Sequence, residues 1–390
     1  MNDDSTIKIY INFSKAYYHP GEKFEATILL DILDKTNCDK MEIIAKGKGI
    51  VKAIQKTYID SYTDSELEED YSSESDDNSR NKKGKFYDKD ETSSEVKNDN
   101  ASIARELNET HKIFNYRKSF QISSNNYLAK GKYSFPFEVE LPDNIPGSFL
   151  YMDNNTYVEI IYTVKVKLNK IRIKEAIPII IRQKKDAFKY VSENQYTKKI
   201  MGCCFDNNES TIKLCLKLKY MLSNEVIKLD VLLNNSNCDI KASPVIIELY
   251  RKLTIFPKSK SKKLKITKSV GKYKGKRSLN PRENLNLNIS FEMDIPDYDS
   301  KKLGKTKAIK YFRHKDIIPL LNQSVISDFV ICEYEAYGEV QFPNWTIEEL
   351  GVFLPIIIYP PEKGIISKTV KQKSLEFSNS IVQKKVFLSG

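Results

Sequence analysis

Short stretches in which apolar and polar residues alternate recur along most of this chain of 390 residues. In residues 7–13 an isoleucine or phenylalanine stands at every second position, and residues 157–168 repeat the pattern. Successive side chains of a β-strand point to opposite faces, so a period of two predicts strands with one buried face. Turn-forming pairs separate these stretches, as at Pro20-Gly21, Pro142-Asp143 and Asn234-Asn235. Many short strands between turns predict an all-β chain built from β-sandwiches.

The chain length and an internal repeat predict how many sandwiches there are. At roughly 150 residues per domain, the chain has room for two or three domains. Three short segments of the first half return in the second half in the same order: 137–142 as 291–296, Tyr162 as Tyr334, and 177–181 as 354–358. We therefore predict two immunoglobulin-like β-sandwiches in tandem. The predicted boundaries are a first sandwich at 5–190, a linker at 191–209, a second sandwich at 210–361 and a short tail at 362–390.

An acidic segment interrupts the first predicted sandwich. Residues 60–79 contain nine carboxylates and no Lys or Arg, and polar residues continue beyond them. Like charges repel and little apolar surface is available, so we predict a disordered acidic insertion at residues 61–108. Within it, Ser65 and Ser73 each have an acidic residue three positions later, which makes them candidate phosphorylation sites for acidophilic kinases. The alternative is an unmodified, solvated spacer.

The basic character of the chain belongs to a second segment. Residues 251–277, called the basic segment below, contain twelve Lys and Arg and no acidic residue, whereas the whole chain has a formal net charge of +11. The remainder is therefore close to neutral, and a general nucleic-acid-binding role loses its main support. Lys258, Lys260 and Lys262 alternate, which on a strand would place them on one face.

We predict that the basic segment binds phosphate groups, either on anionic phospholipid or on a phosphorylated protein tail, because an anionic partner relieves its self-repulsion. The acidic insertion is expected to compete for it in the free protein. A solvated hairpin without a partner is the alternative. The candidate residues are Lys258, Lys260, Lys262, Lys263, Lys265, Lys268, Lys272, Lys274, Lys276 and Arg277.

The sequence lacks the motifs of an enzyme or a metal site. Its three histidines are widely separated, and no His-Glu-x-x-His occurs. Residues 271–278 superficially resemble a phosphate-binding loop, but the glycine spacing is one residue short and Arg277 replaces the required Ser or Thr. We predict no catalytic residue, no metal and no cofactor.

The cysteines and the lack of a long apolar run indicate the compartment. The six cysteines include no Cys-x-x-Cys, which favours a reducing environment. The adjacent Cys203 and Cys204 are interpreted as linker thiols, with an acylated membrane anchor as the weaker alternative. No apolar run has the 18 or so residues that a membrane-spanning helix needs, and no signal peptide is visible. We expect a cytoplasmic protein.

Several segments carry a family resemblance. In the first half they are Tyr18 to Phe24 (YHPGEKF), Leu128 to Phe137 (LAKGKYSFPF), Leu141-Pro142, Ile145-Pro146 and Ser148-Phe149. In the second half they are Cys203 to Phe205, Asn234 to Ser236, Val330 to Tyr334 and Leu354 to Ile356. In type and order these segments resemble the arrestin superfamily, and most closely the α-arrestins. The resemblance implies two tandem arrestin-like β-sandwiches.

The resemblance also implies a function. It suggests a cytoplasmic adaptor, peripherally associated with the plasma membrane or endosomes, that binds membrane-protein cargo and links it to endocytic, sorting or ubiquitination machinery. α-Arrestins commonly recruit ubiquitin ligases through Pro-Pro-x-Tyr motifs, but here Pro360-Pro361 is followed by Glu362 and no such motif is present. The alternative is a retromer-type coat subunit in endosomal protein sorting.

Overall fold

The computed structural model describes residues 7–15, 17–58, 102–169, 174–201, 207–223, 225–259, 262–293, 322–343 and 347–360. The first ten strands are β1 (Ile7–Phe13), β2 (Lys23–Ile32), β3 (Thr36–Asn37), β4 (Lys40–Tyr58), β5 (Ser102–Gln121), β6 (Tyr127–Leu128), β7 (Gly131–Glu140), β8 (Phe149–Met152), β9 (Thr156–Leu168) and β10 (Lys174–Ile179). The others are β11 (Glu193–Met201), β12 (Asn207–Leu216), β13 (Met221–Leu222), β14 (Ile227–Asn237), β15 (Ile246–Ile255), β16 (Leu264–Lys274), β17 (Asn284–Phe291), β18 (Val325–Ile326), β19 (Val330–Pro343), β20 (Ile347–Ile356) and β21 (Ile358–Tyr359). One short 3-10 helix, Lys185–Ala187, is the only helix among the described residues. The predicted all-β fold is confirmed.

Two sheets built from strands β1 to β10 form the first sandwich. One has the order β1-β2-β7, and the other has the order β10-β9-β4-β5 with β8 added on β9. Ile11, Ile28 and Phe135 stand side by side on the three strands of the first sheet, and each is at most 2% exposed. Fully burying a side chain of this size contributes about 1.5–3 kcal/mol, so the alternating pattern drives the pairing of the two sheets.

Strands β11 to β20 form a second sandwich of similar construction. Its sheets have the orders β11-β12-β14-β17 and β16-β15-β19-β18, with β20 added on β19. Leu214 and Val231 face each other across β12 and β14, and both are fully buried. Two small ladders complete the topology, an antiparallel pair β3-β6 and a parallel pair β13-β21.

The predicted turn before β2 has a clear conformational cause. The Glu22 amide donates to the His19 carbonyl oxygen over 3.1 Å, which closes a four-residue turn. Gly21 stands third in that turn with φ of +81°, a conformation that only glycine adopts without strain. Pro20 supplies the fixed φ that the second position requires. The Pro-Gly pair therefore specifies the start of β2.

Residues 54–106 form a unit separate from the remainder of the chain. Its described part consists of the end of β4 and the start of β5, and residues 59–101 lie outside the described residues. The predicted insertion extended too far, because β5 begins at Ser102 rather than after residue 108. Leu107 explains the difference: it packs against the hydrophobic core, although its neighbours are polar.

The internal repeat of the sequence is a repeat of buried hydrogen bonds. The Tyr162 hydroxyl donates to the Pro146 carbonyl oxygen over 2.6 Å in the first half. The Tyr334 hydroxyl donates to the Asn322 carbonyl oxygen over 3.1 Å in the second. Both tyrosines are at most 2% exposed. Each tyrosine therefore fixes the loop before a short strand: the loop before β8 in the first half and the loop before β18 in the second. In both loops a serine, Ser148 or Ser324, stands directly before the strand.

These serines repeat the same arrangement. The Ser148 amide donates to the Ile181 carbonyl oxygen, and the Ser148 hydroxyl accepts from the Ile181 amide over 2.9 Å. Ser324 makes the same two bonds with Ile358, the second over 3.0 Å. The two halves thus share a buried substructure that closes each sandwich at one end.

We predict that Tyr162→Phe and Tyr334→Phe each lower the free energy of unfolding by about 1–3 kcal/mol, because each leaves a buried carbonyl oxygen without its donor. Urea unfolding followed by far-UV circular dichroism measures the change. Tyr196→Phe is the control, since Tyr196 is 49% exposed on β11. A loss no larger than that of the control would contradict the role assigned to the two hydroxyls.

Candidate functional site

The basic segment occupies one edge of the second sandwich. It comprises the end of β15, the connecting loop, all of β16 and the turn that follows. β16 is the last strand in its sheet and pairs with β15 alone among the described strands. The candidate lysines therefore lie along a sheet edge, where side chains on both faces reach solvent.

The structure corrects the placement of Lys258 and Lys262 on a strand. β15 ends at Ile255 and β16 begins at Leu264, so Lys258 and Lys262 lie in the connecting loop. Lys260 lies outside the described residues. Pro257 is the physical reason, because it has no amide hydrogen to donate to a neighbouring strand.

The lysines of β16 itself face both sides of the sheet edge. Lys265 lies opposite Thr254 on the outer face, and Lys268 lies opposite Arg251 on the other face. Lys272 pairs with Glu248 and Arg277 pairs with Glu283. Among the described residues, the candidate lysines without an acidic partner are Lys262, Lys263, Lys265, Lys268, Lys274 and Lys276. The structure thus leaves most of the predicted charge uncompensated.

Lys258 is held by the first half of the chain. Its backbone amide donates to both Glu109 carboxylate oxygens, at 3.0 and 3.2 Å, and its ammonium donates to the Thr110 carbonyl oxygen over 2.5 Å. Glu109 and Thr110 lie on β5. The loop is therefore fixed at its start by a strand of the other sandwich, and Lys258 itself is not available to a partner.

A histidine completes this contact. The His111 Nε2 atom lies 3.2 Å from the Glu109 carboxylate, and its ring stacks on Phe329 with ring centres 4.1 Å apart. Burial, and then the charge of Lys258, lowers the pKa of His111 below its usual value. The imidazole is therefore neutral near pH 7. Sequence reasoning missed Glu109 and His111, because Glu109 directly follows the predicted insertion and His111 was considered only as one of three widely separated histidines.

Besides Lys260, four predicted site residues lie outside the described residues. Ser65 and Ser73 belong to the predicted acidic insertion, and Cys203 and Cys204 to the predicted linker at 191–209, part of which is β11, a strand of the second sandwich. Their proposed phosphorylation and the weaker acylation alternative stay predictions.

A buried arginine of the basic segment lies at the interface between the two sandwiches, called the seam below. Arg251 is 2% exposed, and its guanidinium donates to the Leu150 carbonyl oxygen of β8 over 3.1 Å. The same group stacks near Phe149 and Tyr151, 5.2 and 4.9 Å from the ring centres. Sequence reasoning counted Arg251 as surface charge. The signal that could have found it is its position on β15 between Leu249 and Leu253, which belongs to the buried face.

Gln323 forms the centre of this seam. Its side-chain amide donates to the carbonyl oxygens of Ser148 and Ile181, over 2.6 and 3.1 Å, and its oxygen accepts from the Gln183 amide over 3.1 Å. Arg182 adds a bond from the first sandwich to the end of the second, donating to the Pro360 carbonyl oxygen over 2.9 Å. Polar groups, all of them buried, therefore fix how the two sandwiches meet.

Glu159 is a buried acid beside the same seam. It stands on β9 opposite Leu150 and is 2% exposed. One carboxylate oxygen accepts from the Tyr157 hydroxyl over 2.8 Å, and the other has no partner among the described residues. Burial raises the pKa of the Glu159 carboxyl to about 7, although the Tyr157 hydroxyl and the charge of Lys48 oppose the shift.

We predict that Glu159→Gln stabilises the protein in a pH-dependent way. The raised pKa means that folding favours the protonated form of Glu159. The stability that protonated Glu159 contributes is therefore fully present below pH 4.5, the ordinary pKa of the carboxyl, and is lost as the pH rises through about 7. At pH 8 the variant should be more stable by up to about 3 kcal/mol, and at pH 5 by less than about 1 kcal/mol. Urea unfolding at both values measures this. Glu140→Gln, on the exposed end of β7, is the control and should show no such dependence.

The described residues contain no group of three or more His, Cys, Asp or Glu placed to hold a metal ion. Over the same residues, no helix is long and apolar enough to cross a membrane.

Comparison with known families agrees with this architecture. Residues 7–191 match the family model for the N-terminal domain of arrestin (or S-antigen). A search of curated proteins finds no match to the chain. The match covers 185 of the 390 residues and supports a place in the arrestin superfamily. The fold is that of tandem arrestin-like β-sandwiches.

Proposed function

We propose that this protein is an arrestin-like trafficking adaptor of the α-arrestin type. It would bind membrane-protein cargo and link it to endocytic, endosomal sorting or ubiquitination machinery. The observation that carries the proposal is the arrestin N-terminal domain at residues 7–191, followed by a second sandwich that repeats its buried hydrogen bonds. An adaptor of this kind acts through strand edges and sheet faces rather than through an active site, so we propose no enzymatic activity.

The seam supports this function physically. Gln323, Arg182 and Arg251 each bond across it through buried donors. A buried hydrogen bond to a charged group is worth about 1.5–3 kcal/mol, so the two sandwiches hold a defined arrangement. Two partners bound on different sandwiches would then be kept at a set distance, which is what an adaptor between cargo and sorting machinery requires. We propose that the protein acts in the cytoplasm, at the surface of the plasma membrane or endosomes.

Proximity labelling with the full-length protein in cells tests the adaptor role. We expect a changing set of membrane transporters together with ubiquitin ligases or endocytic proteins, since an adaptor engages its partners in turn. A constant, stoichiometric set of coat subunits would favour the retromer-type alternative. Labelling that contains neither class would contradict both.

We also propose that the tip of the basic segment contacts anionic phospholipid. Lys262 and Lys263 are the described lysines between the fixed Lys258 and β16, and Lys260, outside the described residues, stands between Lys258 and Lys262 in the sequence. Each basic residue near an anionic membrane contributes roughly 1 kcal/mol. Uncompensated lysines at a loop tip can approach a membrane without moving either sandwich.

We predict that replacing Lys260, Lys262 and Lys263 with Gln weakens binding to phosphoinositide liposomes by about a hundredfold. Three residues at roughly 1 kcal/mol each give about 3 kcal/mol, and about 1.4 kcal/mol corresponds to a tenfold change in affinity. Liposome co-sedimentation at about 50 mM salt measures it, because screening is weak there. Replacing Lys46, Lys48 and Lys52, which are exposed on β4, with Gln is the control of equal charge. Equal binding by the loop variant and the wild type would show that the loop is only a solvated connection.

A further inference from the structure

We propose that β16 binds an extended acidic segment of a partner protein by strand addition, with residues 264–269 as the receiving edge. The proposal deepens the adaptor function and rests on it, because it assigns a chemical class to one partner.

The first argument is the open edge of the strand. β16 pairs in register with β15 from Leu264 opposite Ile255 to Ser269 opposite Tyr250. Among the described residues, the backbone of 264–269 forms hydrogen bonds with β15 alone. In an antiparallel ladder every second residue turns its amide and carbonyl groups away from the partner strand. Within the part of the chain that the structure describes, the outer side of 264–269 therefore presents a row of backbone donors and acceptors without a partner strand, which is a template for another strand.

The second argument is where the open edge ends. The β15–β16 register shifts after Ser269, so that Val270 is an extra residue, and both Val270 and Gly271 are buried. A Cβ atom added at Gly271 would lie 3.2 Å from the Glu292 carbonyl oxygen and from the Phe291 ring. The end of β17 therefore packs closely against β16 at Gly271, next to the residue where the β15–β16 register shifts. Six open residues span about 20 Å, the usual length of a short strand.

The third argument is the chemistry of the side chains. Lys265 on one face and Lys268 on the other are both exposed and have no acidic partner among the described residues. The half-buried Leu264 and Ile266 lie on the same face as Lys268 and offer apolar contact. An added strand would place alternate side chains against each face, and opposite charges directly across a strand pair are favourable. The edge thus fits an extended segment that carries Asp, Glu or phosphoserine and some β-branched residues.

Lysines on an edge strand also prevent unwanted pairing between copies of a protein. That protective role predicts that the edge binds no strand at all, so the two interpretations differ in a measurable way.

Fluorescence anisotropy with the full-length protein tests the proposal. The probe is a labelled eight-residue peptide in which Glu alternates with Val and Thr. We expect saturable binding that weakens at least tenfold in the double variant Lys265→Glu, Lys268→Glu. The same variant should gain binding to a peptide with Lys in place of Glu. The control is Lys228→Glu with Lys241→Glu, two exposed lysines elsewhere on the second sandwich that change the net charge equally.

Proline substitution separates strand addition from attraction between charges. Ile266 and Thr267 are neighbours, so one of them directs its amide toward β15 and the other directs it outward. Of Ile266→Pro and Thr267→Pro, the variant that removes the outward amide should keep the wild-type circular dichroism spectrum. It should lose binding of the acidic peptide at least tenfold although every lysine remains.

Hydrogen exchange gives an independent measurement. The acidic peptide should slow the exchange of amides in residues 264–269, with little effect on β11, an edge strand of the other sheet. Undiminished peptide binding by the folded proline variant, or no protection of these residues, would overturn the proposal. So would protection by anionic liposomes without protection by the peptide, which would assign the edge to lipid. The proximity labelling tests the adaptor role separately. It can contradict that role even if the peptide binds to the edge.

Discussion

The side-chain amide of Gln323 is the contact on which the arrangement of this protein depends. It bonds to two carbonyl oxygens of the first sandwich and accepts from the Gln183 amide, and it is fully buried. A buried amide of this kind can be satisfied in very few geometries, because leaving one of its groups unpaired costs about 1–3 kcal/mol. Arg251 and Arg182 make their own buried bonds across the same seam, to the carbonyl oxygens of Leu150 and Pro360.

The seam also shows how a duplicated fold becomes asymmetric. Each half closes one end with the same pair of elements, a tyrosine hydroxyl and a serine. What crosses between the halves is not repeated: Arg251 reaches from the second sandwich to β8, and Arg182 reaches from the first to Pro360. The repeated bonds maintain each sandwich, and the unrepeated ones decide how the sandwiches meet.

Much of the fold could be predicted from the sequence because alternation is a local property. The strands with a period of two, the Pro20-Gly21 turn and the repeat of Tyr162 as Tyr334 all follow from residues close together in the chain. The contacts of the site depend on distant residues. Polar composition does not show that Glu109 binds a loop 149 residues away, and a run of basic residues does not reveal that Arg251 faces inward. Pro257, in contrast, is visible in the sequence and argues against a strand that continues into Lys258.

The bond between Arg182 and the Pro360 carbonyl oxygen has a mechanical consequence. The second sandwich is joined to the first by the chain itself and again by this bond at Pro360, the last described residue. The two connections together restrict rotation of the second sandwich relative to the first. A force applied at Pro360 would therefore reach the first sandwich directly through this buried bond, as well as along the backbone of the second sandwich.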